Sequence, residues 1–384
     1  MIFAHRMQAT LVVLMLGAPL IVAPAQAMET RLDPETQRIR VIWGRIPSSS
    51  YSFALEDPRI EIQASLPYLT YEKTMSDLQY ARRLARIYLP RTYASLLASL
   101  DLIVLEDIDS RIFPQENLFW FRDAVREEGL GMIMSGGSQG FGGNQPFTSW
   151  GDTVLDDILP VQCYYDQRLS KDYLVRLKVV EPANELARSI PWEEAPRYYP
   201  PNFITPREGC QLLIVSDDDK KTPIYFYWDI GKGRFVGAQN MQGAFSMDFN
   251  LWRYYQDASL NTVYYAVCFP LPTDLVAVHR LREAWHVMAL RESLLLAFLE
   301  FADRFGARVG QVEGELRGVD VIRKSSDSLY LVQDYPGALE GMENAVAELL
   351  RLERLAVKLK ERAPLWIYMI EWLTILSTFL LSGF

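Results

Sequence analysis

From Arg38 onward, short apolar runs alternate with amphipathic stretches. "RVIWG" (40–44) and "IEIQASLPYL" (60–69) each predict a strand, and "YASLLASL" (93–100) predicts a helix leading into "DLIVLEDID" (101–109), an apolar run closed by acids. "FPQENLFWFRDAVREEG" (113–129) has proline near its start and glycine after its end, the boundary residues of a helix. "LGMIMS" (130–135) is the next apolar run. Strands apolar along their length, alternating with helices, predict a mostly parallel sheet covered on both faces. Residues 170–215 mix strand-like runs with proline-rich loops. "PIYFYWDIGKGRFVGAQNM" (223–241) sets two β-rich runs around Gly231-Lys232-Gly233, a hairpin signal, and 249–268 reads as a closing helix.

Beyond Pro272 the period becomes helical throughout. Val312, Leu316, Val319 and Ile322, then Ala345, Leu349, Leu352, Ala356 and Leu359, recur at threes and fours, a seam that suits a helical hairpin or short coiled coil. Residues 365–384, "LWIYMIEWLTILSTFLLSGF", hold a single charge, Glu371, with Trp366, Tyr368 and Trp372 near the start. A run of this length spans a hydrocarbon core of about 30 Å, and its aromatics sit where interfacial residues belong. At the other end, Arg6 precedes an apolar stretch and Ala25-Gln26-Ala27 forms an A-x-A cleavage signal. The expected layout is therefore an export signal (1–27), an α/β domain (28–272), a helical stalk (273–363) and a transmembrane helix (364–384), with the main domain extracytoplasmic. Arg351, Arg354, Lys358, Lys360 and Arg362 precede the span, against the positive-inside bias, but large domains translocate largely regardless of such charge.

Charge narrows the partners. The net charge is −9, and no cluster of basic residues exists to neutralise phosphates, so a nucleic-acid partner is not expected. Cys163, Cys210 and Cys268 lack C-x-x-C spacing, which gives no zinc site, and no cofactor is expected. The expected partners are a membrane, through the C-terminal helix, and a second copy or an envelope protein, through the stalk.

The glycine-rich run "GLGMIMSGGSQGFGG" contains Gly136-Gly137-Ser138-Gln139-Gly140, a match to the G-x-S-x-G nucleophile elbow. An elbow needs a helix after its serine and a histidine within reach. Here Gln139 to Pro146 contains three glycines and a proline, and no histidine lies between Met28 and Val278. His279 and His286, seven residues apart on one helix face, fit packing better than catalysis.

"DLIVLEDIDSRIFPQENLFWFRDAVREEGLGMIMSGGSQGFGG…LDDILPV", with the later "GKGRFVGAQNM…DFNLWRYY", resembles the class I glutamine amidotransferase-like fold, in a membrane-associated branch that carries "GG-x-x-x-FGG" and "LPV". The resemblance covers roughly 38–268. It implies a flavodoxin-like three-layer α/β/α domain, followed here by an all-α stalk and the transmembrane helix. Catalytic members have a G-x-C-x-G elbow and a histidine after a late strand. This chain has Met134-Ser135-Gly136-Gly137 at the first place and Asn240, Met241 and Gln242 at the second, which implies a pseudo-enzyme.

Parallel sheets bind ligands at their carboxyl ends. Glu106, Asp107, Asp109, Ser135, Gly136, Gly137, Ser138 and Gln139 are therefore the candidate ligand-binding residues, through a nest of glycine-loop amides or through acids that take a hard cation. The plainer reading is a tight turn with capping acids. The leading expectation is a membrane-tethered, non-catalytic binding or interaction module. The alternatives are an amidase or serine-type hydrolase using Ser138 or Ser135, and a structural subunit of an envelope complex.

Overall fold

The computed structural model describes residues 28–44, 48–66, 77–241, 247–305 and 309–382. The expected export signal, 1–27, lies outside them, as does Gln242.

Ten strands are present among the described residues: β1 (Ile39–Gly44), β2 (Ile60–Leu66), β3 (Leu102–Glu106), β4 (Gly131–Ser135), β5 (Val161–Arg168), β6 (Leu177–Val179), β7 (Asn202–Pro206), β8 (Gln211–Ser216), β9 (Pro223–Ile230) and β10 (Gly233–Ala238). Eight form one sheet in the order β2-β1-β3-β4-β10-β9-β8-β6, and β5 pairs with β7 in a separate ribbon. The first five are mutually parallel, in the flavodoxin-like order, and the last three extend the sheet antiparallel. The β9–β10 hairpin turns at Gly231-Lys232, as its glycines predict.

Residues along the parallel strands point alternately to two cores. Val41, Trp43, Leu102, Val104, Ile133 and Val236 face one side, where α1 (Ser49–Glu56) packs. Ile42, Ile103, Leu105, Met132, Met134 and Phe235 face the other, under α2 (Leu78–Tyr88), α3 (Tyr93–Ser99) and α4 (Gln115–Glu128). Every position of β3 and β4 is buried, which is why both read as unbroken apolar runs. Helix α4 stops at Gly129, whose φ of 78° is the left-handed cap that glycine takes without penalty. Helix α5 (Tyr255–Ala266) closes the domain on the α1 side and is buried along its whole length.

Three helices follow, where the sequence reads as helical throughout, and they pack as one unit and not as a hairpin or short coiled coil: α6 (Leu275–Arg304), α7 (Gly310–Leu331) and α8 (Tyr335–Ser382). Ion pairs Arg280–Glu343 and Arg291–Glu353 rise together along α6 and α8, which pack directly on each other, so these two run parallel; α7 runs back the other way, packed on α8 with Arg351–Glu315 across that contact and reaching α6 through Arg323–Glu292. The expected stalk seam is spent internally, because Ala345, Leu349, Leu352 and Ala356 are buried in this unit's own core. The unit is also docked on the α/β domain. Asp257 on α5 accepts from Arg282 Nη1 (2.9 Å) and bonds His279 Nδ1 (2.6 Å), while Arg282 also reaches Asn261 (2.8 Å). Beside them Asp57 accepts from Tyr264 (2.7 Å) and Tyr330 (3.1 Å). Buried charges persist only when paired in this way.

Helix α8 continues well past the ends of its partners. Among the described residues no helix is long and apolar enough to cross a membrane. For the expected span 364–384, the described side chains are those of 368–382, and each of them is exposed.

Candidate functional site

The carboxyl ends of β1, β3, β4 and β10 meet at one edge of the sheet, with the switch point of the strand order between β1 and β3. Glu106 ends β3 there and is fully buried. Its carboxylate bridges the switch point: Oε2 accepts from Trp43 Nε1 of β1 (2.8 Å) and from Ser48 Oγ (2.7 Å), and Oε1 lies 2.9 Å from Ser50 Oγ. Ser48 is also the N-cap of α1, its hydroxyl accepting from Tyr51 N (3.1 Å). One serine thus starts the helix and holds the acid.

Met241, just after β10, is held at both ends of its peptide unit. Its N–H donates to Ser135 Oγ (3.1 Å), and its carbonyl accepts from Tyr255 OH (2.6 Å), with Ser50 Oγ 3.1 Å away. Burial pushes the Tyr255 phenol above its ordinary range, so it remains a donor at neutral pH.

Asp107 adopts a left-handed conformation (φ 47°) and turns its carboxylate onto the glycine loop, where Oδ1 accepts from Gln139 N (2.6 Å). Gly137 lies directly beneath: a Cβ there would sit 2.2 Å from Asp107 Cγ, at a φ of 152° that side chains rarely adopt. On the loop's other side, Asn202 Oδ1 accepts from Gly137 N (2.8 Å), and its Nδ2 donates to Gly137 O (3.0 Å) and Gly140 O (3.2 Å). Gln239 in turn pairs with the Asn202 backbone, accepting from N (3.0 Å) and donating to O (2.9 Å). A carboxylate and an amide of the protein itself therefore engage the loop N–H groups of Gln139 and Gly137.

The structure brings Asp107 and the loop from Ser135 to Gln139 together, with Glu106 alongside. Asp109 departs from them. It caps the turn at Ser110–Ile112 and forms an ion pair with Arg111 (2.6 Å). Ser135 is buried against Met241, and Ser138 is the most accessible loop residue of that group. Trp43, Ser48, Ser50, Asn202, Gln239 and Tyr255 build the site without any sequence pattern that marks them. The "Asn-Met" after β10 stands out in the sequence only for lacking a histidine, and Asn202 is hidden in a proline-rich stretch.

The cysteines and histidines lie elsewhere. Burial pushes the Cys163 and Cys210 thiols up to about 12 and raises Cys268, which leaves little thiolate at neutral pH. His279 bonds Asp257, and His286 bonds Glu56 (3.0 Å), both at the junction with the helical unit. Among the described residues no group of three or more His, Cys, Asp or Glu is placed to hold a metal ion.

No curated protein matches the chain. The family model described as "Putative glutamine amidotransferase" matches residues 71–268, just over half of the 384. That segment holds β3, β4, the glycine loop, β10 and α5, all of the site except Trp43, Ser48 and Ser50, and the chain belongs to the glutamine amidotransferase-like family.

Proposed function

We propose that the chain is a non-catalytic member of this family, a membrane-tethered extracytoplasmic module that binds a ligand or protein partner at the carboxyl edge of its sheet. The observation that carries the non-catalytic part is the state of the elbow. Ser135 stands where catalytic relatives are expected to place their nucleophile strand end, and its hydroxyl is buried against Met241 N. Two loop amides that an oxyanion would use are bonded to Asp107 and Asn202. The hydrolase reading gains nothing from Ser138, since the two histidines outside the first 27 residues are bonded at the junction.

The tether rests on α8. Tyr368, Trp372, Leu373, Leu376, Phe379 and Leu380 are exposed along one broad face of a helix that has left its bundle, an arrangement costly in water and favourable in lipid. Alkaline carbonate extraction of membranes tests it. The full chain is expected in the pellet and a chain ending at residue 363 in the supernatant; release of both overturns the tether. Turnover of glutamine, amides or esters above a boiled control would overturn the non-catalytic part.

A further inference from the structure

Helix α6 carries two apolar faces. One is buried in the helical unit through Leu281, Trp285, Met288, Leu295 and Leu299. The other points away from it: Val287 (38% exposed), Leu290 (59%), Leu294 (42%), Phe301 (38%) and Phe305 (36%), with Ala297 exposed among them. A solvent-facing helix normally sets charge opposite its core face. Here the stripe positions themselves carry no charge; beside them Arg291 is drawn to Glu353 of α8 (2.7 Å), and Glu300 and Arg304 pair with each other along α6. At its lower end Lys360 Nζ rims the stripe, 5.6 Å from the Phe301 ring centre.

We infer that this stripe is the contact of a two-fold homodimer, packing in parallel against the same stripe of a second copy. The partner is a helix, because Val287, Leu290, Leu294, Ala297 and Phe301 follow the alternating three-four spacing of a heptad seam, which fits knobs into a facing helix. The stripe is about 27 Å long at 1.5 Å per residue, enough for a short coiled coil. The partner is a second copy because a parallel two-fold pairing is self-complementary and, α6 running parallel to α8, brings both exposed α8 ends out on the same side. A specific association needs about 1,000 Å² of buried surface, to which the two stripes and the exposed α8 ends would contribute together. The seam read from the sequence at Ala345–Leu359 does not serve this purpose, being largely buried within one chain.

Cysteine cross-linking of the full chain in detergent tests this. Ala297→Cys is expected to give a disulfide-linked dimer, and Leu296→Cys, one residue round the helix, is not. Adding Leu294→Glu to Ala297→Cys is expected to abolish the dimer while leaving circular dichroism and melting temperature unchanged, since position 294 is exposed. Three outcomes would overturn the proposal. The first is no dimer with Ala297→Cys, and the second is equal cross-linking at 296 and 297. The third is a thiol-attached probe on the Ala297→Cys variant that enters an apolar environment only when vesicles of phosphatidylglycerol are added, which would assign the stripe to lipid.

Discussion

Trp43 Nε1 donates to Glu106 Oε2 at 2.8 Å across the point where the strand order reverses. In open α/β sheets this crevice is where ligands enter. Here the acid is held by an indole and two serine hydroxyls, so the crevice floor is a closed hydrogen-bonding unit that ties β1, β3 and α1 together.

Removing one donor from this unit leaves a buried carboxylate under-solvated. Trp43→Phe is expected to cost about 1–3 kcal/mol, the usual penalty for an unsatisfied buried group, plus the lost packing of the larger ring. Glu106→Gln is expected to cost a similar amount, because its amide N–H₂ would face donors. Urea unfolding checks both, and a loss below about 0.5 kcal/mol would mean that the unit is not closed as described.

Two glycines are expected to respond in opposite directions to alanine. Gly137→Ala drives a methyl into the Asp107 carboxylate at a left-handed φ and should destabilise the domain by more than about 1 kcal/mol, as strained positive-φ sites do. Gly318, inside α7 with open space around it, should gain about 1 kcal/mol on the same change. Paired melting curves report both.

The expectations from sequence divide along physical lines. Buried parallel strands announce themselves, because both faces need apolar side chains; β3 and β4 fall where "LIVLE" and "GMIMS" put them. Gly129 ends α4 for the local reason that makes it a boundary signal. The acids mislead because Glu106, Asp107 and Asp109 look like one cluster, whereas the left-handed turn at Asp107 separates them and each finds its own partners. Asn202 and Gln239 are invisible in the sequence: an amide that stitches a loop through long-range hydrogen bonds leaves no periodic trace. The docked junction escapes the pattern because a helical period marks an apolar face and not what covers it.

At the junction, Asp257→Asn or Arg282→Met leaves an unpaired buried charge. Loss of one partner of a buried pair typically costs about 3–5 kcal/mol. The loss should appear in hydrogen exchange as faster exchange in α5 and α6, with β3 and β4 unaffected at early times.

The same junction is expected to be pH-dependent. The hydrogen bond to Asp257 raises the His279 pKa, so its contribution is fully present below the ordinary histidine value and lost as pH rises through the folded one. Burial pushes Asp327, which faces Arg323, Asp57, Arg38 and Trp285, up to about 6. A carboxyl raised in this way contributes stability fully present below its unfolded value near 3.8 and lost as pH rises through about 6. Asp327→Asn should therefore gain melting temperature relative to the parent as pH goes from 4 to 7, and His279→Gln should lose more at pH 6 than at pH 9. Flat differences across those windows would contradict both assignments.

The central claim is that the elbow of this glutamine amidotransferase-like domain holds structure and not a nucleophile. The most direct test is the intact mass of the folded full-length chain after incubation with a fluorophosphonate and with a glutamine-derived chloromethyl ketone. The account predicts an unchanged mass with both reagents. A stoichiometric adduct that disappears in Ser138→Ala or Ser135→Ala would contradict it and make the glycine loop an active site.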